Sequence, residues 1–275
     1  MHEDWLQELA RRLTAVGGVV GVVLGGSRAR GTHTAASDVD LGIYYRPPLD
    51  VADLGVLARD VAGPDAAVTG TGEWGPWVDG GGWLHIHGTP VDWIYRDVDR
   101  VHDSWREARS GVFALHAQVG HPLGWPNVAY AGEIALGRVL ADPSGELGQL
   151  HDAAGRYPPL LRSTVVTTAL WEASFSVDIA RKAVDRQDTV YVAGCLFRAI
   201  GLCAHAVHAH AGRWLINEKG AVAAAGLLGG APPDFAARAH AVLGDLGTTG
   251  RHLSRALDRT ADLVRATTAA CGEPS

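Results

Sequence analysis

Positive charge is in short supply: 24 Lys and Arg face 30 Asp and Glu, a formal charge of −6 over 275 residues. Long nucleic acid is held by neutralising many phosphates, so this balance argues against a chain that tracks it and suits a small or cationic partner instead. Lysine is scarcer still, with Lys182 and Lys219 against 22 arginines, so a lysine reaching a phosphate would be one of these two. Cysteine is limited to Cys195, Cys203 and Cys271, too few for a disulfide framework. If Cys195 and Cys203 share a helix, a rise of about 1.5 Å per residue sets them roughly 12 Å apart, past the roughly 7 Å that a bridge tolerates. A reducing cytoplasm is therefore expected. No uninterrupted apolar run approaches the roughly 18 residues of a membrane helix, so no spanning segment is expected. Met1-His2-Glu3-Asp4-Trp5 shows no basic stretch leading into an apolar core, so no secretory signal is expected. Repeats and low-complexity tracts do not stand out. What the chain does have is 47% hydrophobic and 20% charged residues, the composition of one large or two ordinary globular domains.

Short apolar runs and glycines dominate the first half. Trp5, Leu9, Leu13 and Val16 keep helical spacing up to a Gly17-Gly18 stop. Val19 to Leu24 is a short, β-branched apolar run, the pattern of a buried strand. Val39, Leu41 and Ile43 alternate with Asp38, Asp40 and Gly42, which gives a strand two unlike faces. Leu54, Leu57 and Val61 mark a helix. Trp83–His87 and Val91–Tyr95, joined through Gly88-Thr89-Pro90, read as a hairpin. Val101, Trp105, Ala108, Val112, Leu115 and Val119 recur at helical steps and predict one apolar helix face there. From about residue 148 strand-like alternation stops. Val166, Leu170, Ala173, Val177, Ala180 and Val184 form one helical stripe, and Val192, Leu196, Ala199, Cys203 and Ala206 a second, with Asp188-Thr189 as a cap between them. Further helices start at Asp234 and near 249. The expected architecture is α/β (α+β): a small mixed-sheet domain over 1–145, then an all-helical bundle over 146–275.

The chemistry concentrates in Leu24-Gly25-Gly26-Ser27-Arg28-Ala29-Arg30-Gly31 and Ser37-Asp38-Val39-Asp40-Leu41-Gly42. Aspartates two apart on a strand point to one face, so the carboxylates of Asp38 and Asp40 lie side by side. Unpaired like charges repel and raise one another's pKa, and a divalent cation removes that cost; hard oxygen ligands suit magnesium. Upstream, a buried strand runs into Gly-Gly-Ser, a turn that exposes backbone N–H groups and lets a phosphate come close. Arg28 and Arg30 add positive charge. Each half alone is weak, since Asp-x-Asp is usually a solvated loop and Gly-Gly-Ser just a turn; the conjunction on two strands reads as a nucleoside triphosphate site.

The segment from 24 to 45 resembles the signature of the DNA polymerase β-like nucleotidyltransferase superfamily, a Gly-Ser followed by a loop of about ten residues and a hydrophobic-flanked Asp-x-Asp. Gly-Ser-x-x-Arg-Gly and Ser-Asp-x-Asp-Leu are similar to the elaborations seen in aminoglycoside- and lincosamide-type nucleotidyltransferases. The resemblance implies that Gly26, Ser27, Arg30 and Ser37 contact the triphosphate and that Asp38 and Asp40 bind metal. It also calls for a third carboxylate on a neighbouring strand. Asp92, between Val91 and Trp93, fits that need, the plain alternative being an exposed edge-strand residue. The implied reaction transfers a nucleoside monophosphate, AMP from ATP or another NTP, to a hydroxyl and releases pyrophosphate, with two magnesium ions. Asp92 would bind the ion nearer the acceptor and could take its proton. Some relatives place a separate glutamate over the acceptor, for which Glu73, Glu172 and Glu218 are candidates.

A small hydroxylated acceptor, antibiotic-like, fits the compact acidic chain; protein AMP-transfer of the toxin–antitoxin kind and a nucleotide-sensing module without catalysis are the alternatives. Neither long nucleic acid nor a membrane is expected as a partner. His85, His87, His205, His208 and His210 are read as hairpin- or helix-surface residues, because no cysteine or carboxylate completes a zinc set. Asp97 and Asp99 are read as helix caps. The tryptophans crowding 74–125 are read first as core, with a stacking wall for a base or sugar as the lesser option.

Overall fold

The computed structural model describes residues 2–34 and 37–272. It separates into two compact units, one of 1–107 with 116–156 and one of 108–115 with 157–275. The first carries α1 (His2–Leu13), β1 (Val19–Leu24), α2 (Gly26–Ala29), β2 (Val39–Tyr45), α3 (Val51–Ala62), β3 (Gly81–Ile86), β4 (Thr89–Asp97), all but the last two residues of α4 (Val98–Arg109), all but the first residue of β5 (Leu115–Gln118), β6 (His121–Pro126), α5 (Ala129–Leu136), β7 (Arg138–Ala141) and α6 (Glu146–Ala154). Five strands form one sheet in the order β3-β4-β2-β1-β7, and β5 and β6 pair by themselves. Only β2 and β4 run parallel; β1 pairs antiparallel with β2 and β7, and β3 with β4.

Side-chain alternation divides the sheet into two unlike faces. Val22, Leu24, Val39, Leu41, Ile43, Val91, Trp93, Tyr95, Leu84 and Ile86 point to one side, where Leu6, Leu9 and Leu13 of α1 and Leu54, Leu57 and Ala58 of α3 complete a core. Burying a side chain of this size stabilises by about 1.5–3 kcal/mol, which locks the register, because a one-residue slip would send every apolar group to the wrong face. Asp40, Tyr44, Asp92 and Arg96 consequently occupy the opposite face.

Three stretches depart from the sequence reading. The hairpin turn is two residues, His87-Gly88, with Ile86 opposite Thr89. Both have positive φ (51° and 77°), the turn geometry that matches strand twist, so Thr89 and Pro90 belong to the strand. The helical pattern over 101–119 ends at Arg109, after which Gly111 turns through φ 71° and Leu115–Gln118 becomes a strand. Val112 and Val119 are exposed accordingly. Last, β6, α5 and β7 have no clear periodicity and were legible only once folded; α5 is apolar apart from Glu133 and β7 is four residues long.

The second unit holds α7 (Pro159–Arg181), α8 (Thr189–His210), α9 (Ala221–Ala225), α10 (Phe235–Gly244) and α11 (Gly250–Cys271). Both predicted stripes are packed together there: Ala169, Leu170, Ala173, Val177 and Ala180 of α7 share a core with Val192, Leu196, Ala199 and Cys203 of α8. The Asp188 carboxylate accepts from the Tyr191 N–H, 3.1 Å, as an N-cap. Taken by length and composition, α8 is apolar enough to cross a membrane, contrary to the expectation from uninterrupted runs, but over half of its apolar window is buried within the protein. His205 and His208 are not surface residues either. They are 5% and 6% exposed, the His205 ring lies against Phe113, and burial holds the His205 imidazole down at about 3. The three cysteines are free.

Candidate active site

The parallel register of β2 and β4 sets Asp40 directly beside Asp92. Asp38 precedes β2 by one residue, and ligand oxygens of Asp38, Asp40 and Asp92 all lie within 4.8 Å of one another. Burial raises the Asp40 carboxyl most, with the charges of Asp38 and Asp92 adding to it and Arg30 partly offsetting them, so that its pKa moves from 3.8 to about 6. Asp92 is also raised, again chiefly by burial and then by Asp38, with His85 acting the other way. Desolvation thus outweighs the mutual repulsion that the sequence alone suggests.

The turn after β1 abuts this cluster. Gly25 donates its N–H to the Asp40 carbonyl, 2.8 Å. Gly26 has φ 61°, and a β-carbon on it would stand 1.7 Å from Asp40 Oδ2. Glycine meets both demands. Ser27 is half-buried at the start of the single-turn α2, and its carbonyl accepts from the Thr32 N–H, 3.0 Å. Arg30 is exposed at the end of that turn, within electrostatic reach of Asp40. The Ser37 hydroxyl closes its own loop by accepting from the Thr34 N–H at 3.0 Å.

Arg28 behaves differently from the phosphate ligand suggested by its charge. Its Nη2 donates to the Ser37 carbonyl (2.6 Å) and its Nε to the Asp38 carbonyl (2.9 Å). The fork pins the chain where it enters β2, so Arg28 positions Asp38. Nothing in the residue order marks such a contact, which spans ten positions.

A second charged pair also escaped the sequence reading. Arg96, 4% exposed, donates to Glu133 of α5 from Nε (2.5 Å) and Nη2 (2.8 Å). Its guanidinium lies over the rings of Trp125 and Tyr130 and donates further to the carbonyls of Val78 and Tyr95. Glu133 in turn adds to the rise of the Asp40 pKa. Of the glutamates considered from sequence, Glu73 lies in the loop before β3, Glu172 pairs with Arg198 at 2.5 Å in the second unit, and Glu218 also belongs to that unit. Lys219, exposed in a loop there, donates its backbone N–H to Asn217 Oδ1 at 2.7 Å. Among the described residues, the Asp38–Asp40–Asp92 group is the one cluster of His, Cys, Asp and Glu arranged to hold a metal. Asp97 does cap α4, accepting from the Asp99 N–H at 2.9 Å, whereas Asp99 accepts from Arg46.

The mixed sheet thus brings three carboxylates together beside a glycine turn. The family model described as "Nucleotidyltransferase domain" matches residues 6–67, a span containing α1, the Gly26-Ser27 turn, Asp38 and Asp40. Residues 6–67 therefore form a nucleotidyltransferase domain, consistent with the DNA polymerase β-like superfamily, and this domain supports transfer of nucleoside monophosphates in general. No curated protein matches it. Among solved structures it is similar to a nucleotidyltransferase-like protein from Exiguobacterium sibiricum 255-15, with 12% identity, a TM-score of 0.49, and coverage of 99% of this chain and 77% of that one.

Proposed function

We propose that the protein is a magnesium-dependent enzyme that transfers AMP from ATP to a hydroxyl of a small molecule, an aminoglycoside- or lincosamide-like antibiotic being the type of acceptor, and releases pyrophosphate. The observation that carries this reading is the convergence of Asp38, Asp40 and Asp92 within 4.8 Å beside the Gly26 turn. The donor set fits the metal that such domains use: all ligands are carboxylate oxygens, and Asp40 is raised first by burial and then by the charges of Asp38 and Asp92, which Arg30 offsets only in part. Asp38, Asp40 and Asp92 would hold it, and magnesium bound there supplies the charge that acidifies the acceptor hydroxyl and compensates the phosphates.

The chain's own residues do the rest. The turn at Gly26-Ser27 presents backbone N–H groups and Arg30 presents a guanidinium to the triphosphate. The acceptor oxygen bonds to the α-phosphorus while the bond from that phosphorus to the bridging oxygen breaks, and pyrophosphate leaves. Asp92, whose proton affinity burial has raised, takes the hydroxyl proton. Arg28 holds Asp38 in place throughout. The free thiols support a reducing, cytoplasmic setting.

Labelled ATP, magnesium and a panel of antibiotics, incubated alongside lysate proteins, test the reading. Label is expected on a small molecule, and the double variant Asp38→Ala/Asp40→Ala should abolish pyrophosphate release. Label on protein alone would reject the small-molecule acceptor in favour of protein AMP-transfer.

A further inference from the structure

Trp83 is 71% exposed, on the edge strand of the sheet, directly opposite Asp92 in the β3–β4 ladder. Directly paired residues share a face, so its indole stands on the same side as the carboxylates. One ring face is covered: Trp74 stacks on it with centroids 4.5 Å apart and planes 18° from parallel. Trp74 fits there because Gly81, two residues from Trp83 along the same face, has no side chain; a β-carbon would come within 3.0 Å of Trp74 Cη2.

The loop carrying Trp74 is held firmly. The Trp74 N–H donates to the Asp79 carbonyl at 2.9 Å, and Gln118 Nε2 donates to the Trp74 carbonyl at 2.8 Å. The buried Asp79 carboxylate accepts from the Tyr45 hydroxyl and from the Gly72 N–H, both at 2.7 Å. The Tyr130 hydroxyl donates to the Trp77 carbonyl. A large aromatic surface is thus both fixed in orientation and left open to solvent at the rim of the carboxylates. Most of the indole lies in water; covering it with a ring would remove that apolar surface from solvent and add stacking.

Which ring belongs there follows from the strand order. The turn at Gly26 follows β1, and the sequence β1-β2-β4-β3 puts the turn, Asp40, Asp92 and Trp83 in a row across the sheet. With strands about 4.8 Å apart, the row from turn to indole spans roughly 14 Å. In-line displacement puts attacking and leaving oxygens on opposite sides of the phosphorus. Pyrophosphate leaving toward the turn therefore requires the acceptor to arrive from the other end, over Asp92 and against Trp83. Resting on the nucleotidyl-transfer reading, we propose that Trp83, backed by Trp74, is the acceptor-binding platform, and that the acceptor is a hydroxylated ring compound that lays an apolar ring face on the indole. Trp83 is then the residue that selects ring-bearing alcohols over chain alcohols.

Saturation-transfer NMR on the whole chain loaded with magnesium and α,β-methylene-ATP tests this, with 4-nitrophenyl β-D-glucopyranoside as the ring probe and glycerol as the chain control. The ring probe should bind the wild type, glycerol should not, and Trp83→Ala should weaken the ring probe about tenfold while Trp83→Phe retains most of the affinity. The nucleotide Kd should be the same in all three proteins. Ring-probe binding that is absent from the wild type or unchanged in Trp83→Ala overturns the platform. A nucleotide Kd that rises in Trp83→Ala overturns it in favour of stacking on the base. If the wild type binds no magnesium–nucleotide at all, the nucleotidyl-transfer reading fails first and takes the platform with it.

Discussion

Gly26 and Asp40 are so close that a β-carbon at position 26 would stand 1.7 Å from the carboxylate oxygen and force the Asp40 side chain to move. The turn and the strand that carries Asp40 are thus built against each other. Gly26→Ala combines a positive-φ penalty of about 1 kcal/mol with displacement of the Asp40 side chain. Pyrophosphate release should fall by about a hundredfold or more, an effect expected of losing a positioned charged group, while Tm drops by only a few degrees. Near-normal turnover in Gly26→Ala would mean that Asp40 is not a ligand in the position described.

Asp40 also makes the apo protein pH-sensitive. Its carboxyl is raised from 3.8 to about 6, so the folded chain holds this proton more tightly than the unfolded chain does. The stabilisation is complete below pH 3.8 and is lost as pH climbs through 6, a cost of about 3 kcal/mol by neutral pH. Without magnesium, Asp40→Asn should melt about 5 °C or more above wild type at pH 7.5, with the gap closing toward pH 4. Magnesium–ATP should raise the wild-type Tm and leave the variant nearly unmoved. Parallel melting curves across that pH range would assign Asp40 a structural role.

Arg28 is expected to act on affinity rather than on stability. Releasing the carbonyls of Ser37 and Asp38 in Arg28→Ala should weaken magnesium–ATP binding about tenfold by calorimetric titration, with Tm within about 2 °C of wild type. Arg28→Lys should not restore it, because an ammonium lacks the planar fork that spans two acceptors. Full rescue by lysine would point to charge alone.

The Arg96–Glu133 pair should show the reverse pattern. Glu133→Gln leaves a nearly buried guanidinium without its counter-charge, a loss of about 3 kcal/mol in urea denaturation. Adding Arg96→Met should return part of it. If the double variant is no more stable than Glu133→Gln, the pair is not what holds α5 to the sheet.

How much of this was legible from residue order depends on the range of the interaction. Val19–Leu24, the Asp38-x-Asp40 strand and the stripes of α7 and α8 could be read because periodicity is local and burial follows it. Asp92 was legible for a related reason, as a charge inside an apolar strand needs a partner. The two-residue turn at His87-Gly88 was misplaced because histidine in positive φ has weak local preference for it. The strand at Leu115–Gln118 was hidden by apolar spacing that happened to suit a helix. Arg28, Glu133 and the Trp74–Trp83 stack lay beyond reach, because their partners are 9 to 37 residues away and no pattern connects them.

The ladder between β2 and β4 works as a caliper. Asp40 and Asp92 are the fixed jaws, since main-chain hydrogen bonding sets the separation of their α-carbons. Asp38 lies just outside the ladder, and its position rests on the hydrogen bond from Arg28 to its carbonyl. Were a larger ion such as manganese or calcium to take the place of magnesium, the adjustment would fall on the Ser37–Asp38 entry, which Arg28 holds through the backbone.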